Sequence, residues 1–213
     1  MAIRTTFYID GFNFYNGIKS ASKSINKDWK KYYWIDFVKF CQLFLTDSHE
    51  LVKVKYFSAP PFDSGKQSRQ SALFKANKII NGDKLSIING KYYKKPITCM
   101  ASCKETFHIS EEKRTDVNIS VEMIGDCAFN NTDLIVLISA DSDLVPPIEY
   151  VIKKFPDKKV KVYFPPKRSS YDLKSMVNNN VVYLDKNEGK FKAAIMPDLV
   201  SNGVKHVNKP ELW

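Results

Sequence analysis

The most constraining feature of this sequence is a run of five apolar residues that ends in a polar and acidic cluster. Residues 134–138 are Leu-Ile-Val-Leu-Ile, and residues 139–143 are Ser-Ala-Asp-Ser-Asp. The run is continuous and does not alternate with polar residues, which is typical of a central strand buried on both faces. Strands of this kind occur almost entirely in α/β proteins, whose parallel sheets are covered on both faces.

Strand-like and helix-like segments alternate along the rest of the chain, which predicts an α/β fold around a mostly parallel sheet. We expect strands at residues 6–9, 51–57, 134–138, 159–164 and 181–184. Apolar residues at helical spacing predict helices at residues 35–45, 117–128 and 144–152.

Two segments depart from this alternation of strands and helices. The Asn89-Gly90 dipeptide predicts a tight turn that joins residues 85–88 and 91–93 in a hairpin, within an insertion at about residues 84–108. Residues 191–213 have no strong periodicity and are expected to form a C-terminal strap. The prediction is therefore one domain over residues 1–190 with an extension over residues 191–213.

Composition narrows the class of protein. The chain has 213 residues, 44% of them hydrophobic, so it can fold around a core and is not disordered throughout. It carries 33 basic and 23 acidic side chains, a net charge of +10, which favours polyanionic partners and nucleic acid first. No run approaches the 18 apolar residues of a membrane span, and no secretory signal is evident. We therefore expect a cytoplasmic protein without membrane contact.

Several aspartates fall where an α/β sheet binds ligands. Asp10 ends the first predicted strand, and Asp141 and Asp143 follow the most buried one. Ligands bind in the crevice outside the carboxyl ends of such strands, so Asp10 and Asp141 share that crevice if their strands are neighbours. Asp116 begins another helix that could point its N-terminus there. Each residue also has a structural alternative, as a helix cap or, for Asp10-Gly11, as a turn.

Four carboxylates at one sheet edge would repel one another unless a cation neutralised them. The predicted ligands are all oxygen atoms, and no histidine lies near them in the sequence. This donor set suits Mg²⁺ or Mn²⁺ and does not suit zinc.

Three motifs, in this order, resemble the NYN-domain proteins of the PIN-like nuclease superfamily. They are Phe-Tyr-Ile-Asp-Gly-Phe-Asn-Phe-Tyr at residues 7–15, Glu-Lys-Arg-Thr-Asp-Val-Asn-Ile at 112–119 and Leu-Ile-Ser-Ala-Asp-Ser-Asp-Leu at 137–144. The resemblance continues at residues 162–169 and 196–198, so it covers most of the chain. Each motif alone is weak, and the ordered set is fairly specific.

The resemblance implies a PIN-like α/β/α sandwich, metal-dependent cleavage of phosphodiester bonds, and RNA as the usual substrate. On this sequence the implied acidic site is Asp10, Asp116, Asp141 and Asp143, with Asn13 as a polar helper that holds a water or a phosphate oxygen. Ala140 departs from the glycine that is usual in the family. It removes no ligand but puts close approach of a phosphate to the backbone in question.

Basic residues near these motifs are candidates for phosphate contacts. Lys113 and Arg114 precede Asp116, and Lys167 and Arg168 follow a strand at the same predicted edge. Mixed basic and aromatic clusters at residues 27–34 and 91–95 could stack on unpaired bases, or could instead be solvated faces whose aromatic rings pack inward.

The cysteines suggest no disulfide framework. Cys41 and Cys127 are expected in the core, and without an export signal the four cysteines are expected to be reduced. Cys99 and Cys103, with His108, have spacing that a zinc site allows, but a fourth ligand is not evident and two ordinary thiols are the favoured interpretation.

Three functional hypotheses remain. The leading one is a Mg²⁺- or Mn²⁺-dependent ribonuclease acting on single-stranded or structured RNA, and it is compatible with a homo-oligomer. The alternative is a non-catalytic RNA-binding or adaptor protein on the same fold. The third, an aspartate-nucleophile phosphatase using Asp10, typically requires a second acid two residues later, where this chain has Phe12.

Overall fold

A computed structural model describes residues 2–99 and 103–213. It contains a six-stranded, fully parallel sheet, which confirms the predicted α/β class and the mostly parallel sheet. The strands are β1 (Ile3–Asp10), β2 (His49–Ser58), β3 (Leu85–Asn89), β6 (Leu134–Ile138), β7 (Lys159–Phe164) and β8 (Val181–Tyr183). Their order across the sheet is β3-β2-β1-β6-β7-β8.

Helices cover both faces of this sheet. They are α1 (Gly11–Ser24), α2 (Phe37–Gln42), α3 (Ser64–Asn81), α4 (Thr115–Ala128), α5 (Val145–Lys154), α6 (Tyr171–Met176) and α7 (Glu188–Ala193). Short 3-10 segments lie at Lys27–Tyr33, Gly82–Lys84, Ser142–Leu144 and Leu184–Asn187. The helices predicted near residues 35–45, 117–128 and 144–152 correspond to α2, α4 and α5.

The side chains of the central strands alternate between two cores. Phe7 of β1 and Val136 of β6 belong to the core that α1, α2, α3 and α7 cover. Their neighbours Tyr8 and Leu137 belong to the core beneath α4, α5 and α6. Because both faces are buried, β6 needs apolar residues at every position, which is why its sequence does not alternate.

The order of the strands places a switch point between β1 and β6. From β1 the chain builds outward through β2 to β3, and it then returns to add β6 on the other side of β1. Ile9 lies beside Ile138 in the register of these two strands. The residues that follow, Asp10 and Ser139, therefore meet at the edge where open α/β sheets bind ligands.

The chain leaves the sheet after β3 to form an antiparallel arm of β4 (Lys91–Thr98) and β5 (Thr106–Lys113). The hairpin predicted across Asn89-Gly90 is therefore wrong, because β3 pairs in parallel with β2, and the strand after Gly90 pairs with β5. Gly90 permits close approach instead of a turn. A Cβ there would lie 2.6 Å from Oγ1 of Thr115.

The C-terminal residues pack against the main body. Phe191 and Met196 are buried in the core that α1 covers, and β9 (Leu199–Ser201) pairs with β10 (His206–Asn208) beside α3. The division after residue 190 remains a prediction. No helix in the described part of the chain has the length and apolar character that a membrane span needs.

Candidate active site

Asp10 ends β1 and is also the N-cap of α1. Its Oδ1 accepts a hydrogen bond from the backbone N–H of Asn13 at 3.0 Å. Its Oδ2 accepts from Nδ2 of Asn13 at 2.6 Å and from the hydroxyl of Ser139 at 2.7 Å. Burial raises the pKa of Asp10, the hydrogen bonds from Asn13 and Ser139 oppose this, and the negative charge of Asp141 adds to the rise. A cation beside Asp10 would offset the cost of its buried charge.

Asp141 follows β6 and is the N-cap of the next 3-10 segment, Ser142–Leu144. Its Oδ1 accepts from the backbone N–H of Asp143 at 3.1 Å, and its own N–H donates to the hydroxyl of Ser139 at 3.1 Å. Because the same hydroxyl donates to Asp10, Ser139 links the ends of β1 and β6. The side chain of Ser139 is fully buried, so this link is shielded from water.

Asp116 reaches the same edge from the first turn of α4. Carboxylate oxygens of Asp10, Asp116 and Asp141 lie within 4.8 Å of one another, and we call these three residues the acidic centre. Among the side chains that the structure describes, which leave out those of residues 107–112, this is the one group of three or more acidic, histidine or cysteine residues close enough to share a metal ion. Asp143 is exposed and lies outside that group.

The acidic centre offers only oxygen donors. Mg²⁺ and Mn²⁺ prefer such ligands, whereas zinc and copper sites normally include nitrogen or sulfur. Mg²⁺ is usually held by one or two carboxylates and keeps several waters, so three carboxylates suffice. The residues present therefore fit a hard divalent cation.

Arg168 extends the site from the loop after β7. Its Nη1 donates to Oδ1 of Asn13 at 3.2 Å, while its Nε is buried with no hydrogen-bond partner among the described residues. This loop packs closely on α1, since a Cβ at Gly17 would lie 2.8 Å from Pro165. Asn13 thus bonds to both Asp10 and Arg168, and so holds the guanidinium near the acidic centre.

The other predicted basic residues surround this edge. Lys113 and Arg114 are exposed immediately before α4, and Arg114 adopts a left-handed backbone with φ +78°. Its Nη2 donates to the hydroxyl of Tyr93 on the arm at 3.4 Å. Lys167 is exposed beside Arg168.

The structure also tests the predictions for the basic and aromatic cluster at residues 27–34 and for the four cysteines. In the 27–34 cluster the rings of Trp29, Tyr32 and Trp34 are buried and pack inward, while Lys27 and Lys30 are exposed. Cys41 and Cys127 are buried, as predicted. Cys99 and Cys103 lie at the turn of the arm and remain free thiols, while the side chain of His108 lies outside the described residues.

Sequence reasoning missed a pocket of about 420 Å³ between α1 and α3, whose lining includes Gly11, the residue after Asp10. Its lining includes Gly11, Phe12, Tyr15, Phe62 and Arg69, and we call it the α1–α3 pocket. Gly11 allows the start of α1 to lie close to β2, because a Cβ there would be 2.5 Å from the carbonyl oxygen of Phe57. The exposed aromatic residue that follows Asp10-Gly11 is the only sequence signal for this pocket.

Comparisons with known proteins agree with the fold and with the motif order. The NYN domain family model matches residues 4–185. The chain is 24% identical to 6-hydroxy-3-succinoylpyridine 3-monooxygenase HspA of Pseudomonas putida over 247 residues, which covers 99% of this chain and 75% of that protein. A crystal structure of a protein of unknown function from Vibrio parahaemolyticus has a TM-score of 0.54 at 20% identity, covering 85% of this chain and 92% of that one.

The structural likeness at 20% identity supports the fold alone. The family match is more informative, because it runs from β1 to the turn after β8 and includes all three residues of the acidic centre. The chain therefore belongs to the NYN domain family, within the PIN-like nuclease superfamily that its motifs predicted.

Proposed function

We propose that this protein is a divalent-metal-dependent ribonuclease that hydrolyses phosphodiester bonds at the acidic centre and acts in the cytoplasm. One observation carries the proposal. Three carboxylates from two neighbouring strands and a helix converge within 4.8 Å at the switch point of the sheet. Such a cluster is unfavourable without a cation, so its presence at a ligand-binding edge supports a catalytic metal.

Asp10, Asp116 and Asp141 would hold Mg²⁺ or Mn²⁺, and a bound ion of this kind activates water and stabilises the leaving oxygen in phosphodiester hydrolysis. The hydrogen bonds from Asn13 and Ser139 fix the carboxylate of Asp10, as outer groups do around metal ligands. Asp143 lies at the solvent side, where it would accept hydrogen bonds from water near the scissile phosphate.

Arg168 is the residue best placed to bind the scissile phosphate. Its guanidinium is anchored through Nη1 to Asn13, and its buried Nε has no partner among the described residues. Because the side chain as a whole is only half-buried, a phosphate oxygen would accept charge-assisted hydrogen bonds from the guanidinium N–H groups that remain accessible. Lys113, Arg114 and Lys167 would bind phosphates on either side of the scissile one, which is consistent with the net charge of +10.

Two other functions are distinguishable. A non-catalytic RNA-binding or adaptor protein would use the same basic residues without cutting. A monooxygenase that acts on a small pyridine is a second candidate, because the 24% identity spans 99% of the chain and the α1–α3 pocket carries aromatic side chains. A nuclease is favoured over both by the all-oxygen acidic centre and by the family match.

The test is cleavage of end-labelled RNA and DNA oligonucleotides with Mg²⁺, Mn²⁺ or EDTA. We expect cutting of RNA with either ion and none with EDTA. Asp116→Asn should abolish it, while Asp143→Asn should reduce it less, because Asp143 lies outside the acidic centre. RNA binding without metal-dependent cutting would establish the adaptor alternative. Turnover of 6-hydroxy-3-succinoylpyridine that requires both O2 and an added two-electron reductant, without RNA cutting, would establish the monooxygenase.

A further inference from the structure

The α1–α3 pocket presents aromatic rings to solvent, and its lining includes Gly11, the residue after Asp10 of the acidic centre. Phe12, Tyr15 and Phe62 are 48%, 38% and 49% exposed, although large apolar side chains are usually buried. All three line the pocket, and Gly11 at its floor follows Asp10 directly. The volume of about 420 Å³ lies within the range of small-molecule sites. The pocket could therefore accept one planar heterocycle within reach of the proposed cleavage site.

A second depression continues from this pocket along α1. It shares Tyr15, Lys19 and Arg69 with the pocket. Its other basic residues are Lys23, Lys27 and Lys30, which are exposed. None of the described residues that line this depression is acidic. We call the set Lys19, Lys23, Lys27, Lys30 and Arg69 the lysine groove.

The distance between the α1–α3 pocket and the lysine groove fits a polymeric ligand better than a single free heterocycle. The α-helix rises about 1.5 Å per residue, so Lys23 lies about 18 Å along α1 from Gly11. A free heterocycle would use the pocket, which Lys19 and Arg69 also line, and would leave Lys23, Lys27 and Lys30 without a ligand. A nucleic-acid strand would use both, because bases stack on aromatic rings and phosphates bind lysine and arginine.

We propose that the α1–α3 pocket binds one unpaired nucleobase and that the lysine groove binds the adjoining phosphates, so that the substrate is single-stranded at this protein. This proposal adds a binding mode to the proposed ribonuclease function. The position of the cut depends on that function, whereas the binding of RNA at the pocket and groove does not. In an A-form duplex the bases are stacked and paired within the helix, so none can enter the pocket. Single-stranded RNA supplies both the free base and the flexible backbone.

Binding measured in EDTA tests the proposal independently of cleavage. Fluorescence anisotropy with labelled single-stranded RNA would compare the parent with the Lys23→Ala/Lys27→Ala/Lys30→Ala triple variant. We expect the triple variant to bind at least tenfold more weakly, with a log–log salt slope smaller by about 2, because three phosphates are no longer neutralised. The matched control is Lys154→Ala/Lys159→Ala/Lys192→Ala, which removes three exposed lysines outside the groove and should leave the slope unchanged.

The pocket is tested with Phe62→Ala and, separately, Phe12→Ala, which replace exposed rings and leave the core intact. Each should weaken single-stranded binding by roughly tenfold because a stacking ring is removed, and neither should change the weaker binding of a blunt duplex. An RNA with a single 5-iodouridine should crosslink on irradiation to a peptide that contains Phe12, Tyr15 or Phe62. Crosslinks confined to the β4–β5 arm, with unchanged affinity in both variants, would overturn the assignment.

Two further outcomes separate the alternatives. If 6-hydroxy-3-succinoylpyridine binds in a manner that requires Phe62, while RNA binding does not require it, the pocket takes a small molecule and the proposal is wrong. If RNA binds as described but is never cut with Mg²⁺ or Mn²⁺, the proposed nuclease function is wrong and the binding assignment stands.

Discussion

The side chain of Asn13 joins Asp10 to Arg168. Its Nδ2 donates to Asp10 at 2.6 Å and its Oδ1 accepts from Arg168 at 3.2 Å. An amide provides a donor and an acceptor at once, so one residue orients both the carboxylate of Asp10, which we propose as a metal ligand, and the guanidinium of Arg168, which we propose to bind phosphate. This double role explains why a polar residue occupies a buried position of α1.

Replacing Asn13 should therefore weaken metal binding more than it weakens the fold. Asn13→Ala removes a hydrogen bond to the carboxylate of Asp10, and removal of such an outer group typically lowers metal affinity by about 10- to 100-fold. Calorimetric titration with Mn²⁺ measures this directly. Asn180→Ala is the control, because Asn180 also donates one hydrogen bond, to Val160, but lies before β8 at the opposite end of the sheet. Equal Mn²⁺ affinity in both variants would contradict the role of Asn13.

Gly11 is expected to be irreplaceable even by alanine. The new Cβ would lie 2.5 Å from the carbonyl oxygen of Phe57, so either α1 or β2 must shift, at a cost of about 1–3 kcal/mol. The shift would also displace Asp10 and lower cleavage. Gly125→Ala in α4 is the matched control. No described neighbour lies near its added Cβ, and alanine should stabilise the helix by up to about 1 kcal/mol. Thermal melting of both variants should give shifts of opposite sign.

Lys167 and Arg168 should contribute electrostatically to RNA binding. Lys167→Ala combined with Arg168→Ala should reduce the log–log salt slope for single-stranded RNA by about 0.7 for each phosphate that is no longer neutralised. The measurement is anisotropy between about 50 and 200 mM salt, a range over which such slopes are resolved. An unchanged slope would place the RNA away from this loop.

The acid stability of the fold should depend on Arg4 and Asp133, which tie the start of β1 to the loop before β6. Nη2 and Nε of Arg4 donate to the two oxygens of Asp133 at 2.6 and 3.0 Å. The hydrogen bond from Arg4 lowers the pKa of Asp133 to about 2 in the folded protein. The unfolded value is about 3.9, so the stabilisation is complete above about pH 4 and is lost as the pH falls towards about 2.

Melting curves of Asp133→Asn at several pH values test this predicted loss of stability in acid. The variant should melt below the parent at about pH 7 by a small margin, since the pair is partly exposed, and the difference should shrink between about pH 4 and 2. Asp47→Asn, which removes an exposed carboxylate before β2, should show no such trend. A difference that grows as the pH falls would contradict the pairing.

Most of the sheet could be predicted from the sequence because β6, β7 and β2 are defined by dense apolar residues. The neighbouring ends of β1 and β6 then bring Asp10 and Asp141 together. The sequence left a helix cap and a member of an acidic site as alternative roles for Asp10 and Asp141. The structure shows both roles at once, because each residue is a cap and also belongs to the acidic centre. A cap uses one carboxylate oxygen lone pair and leaves others for a cation.

The elements that were not predicted correctly from the sequence, α3 and β3, depend on long-range packing. Helix α3 was missed because its first eight residues include no large apolar side chain, and its apolar stripe, with Leu73 and Ala76 in the core, is confined to its second half. Strand β3 was assigned to a hairpin because Asn89-Gly90 is a strong local turn signal. Pairing with β2 prevailed, and the N–H of Gly90 extends it by donating to the carbonyl of Ser58. The α1–α3 pocket depends on the placement of α3, which contributes Lys66, Arg69 and Phe74 to its lining.

The most direct test of the acidic centre is the effect of Asp141→Asn on melting and on single-turnover RNA cleavage, each with and without Mn²⁺. Without metal the variant should be as stable as the parent or more so, because asparagine caps equally well and relieves carboxylate repulsion. Millimolar Mn²⁺ should raise the melting temperature of the parent and raise that of the variant less. Cleavage should fall by orders of magnitude in Asp141→Asn and be unchanged in Asp47→Asn. Parental cleavage and a parental Mn²⁺ shift in Asp141→Asn would contradict the metal-dependent nuclease.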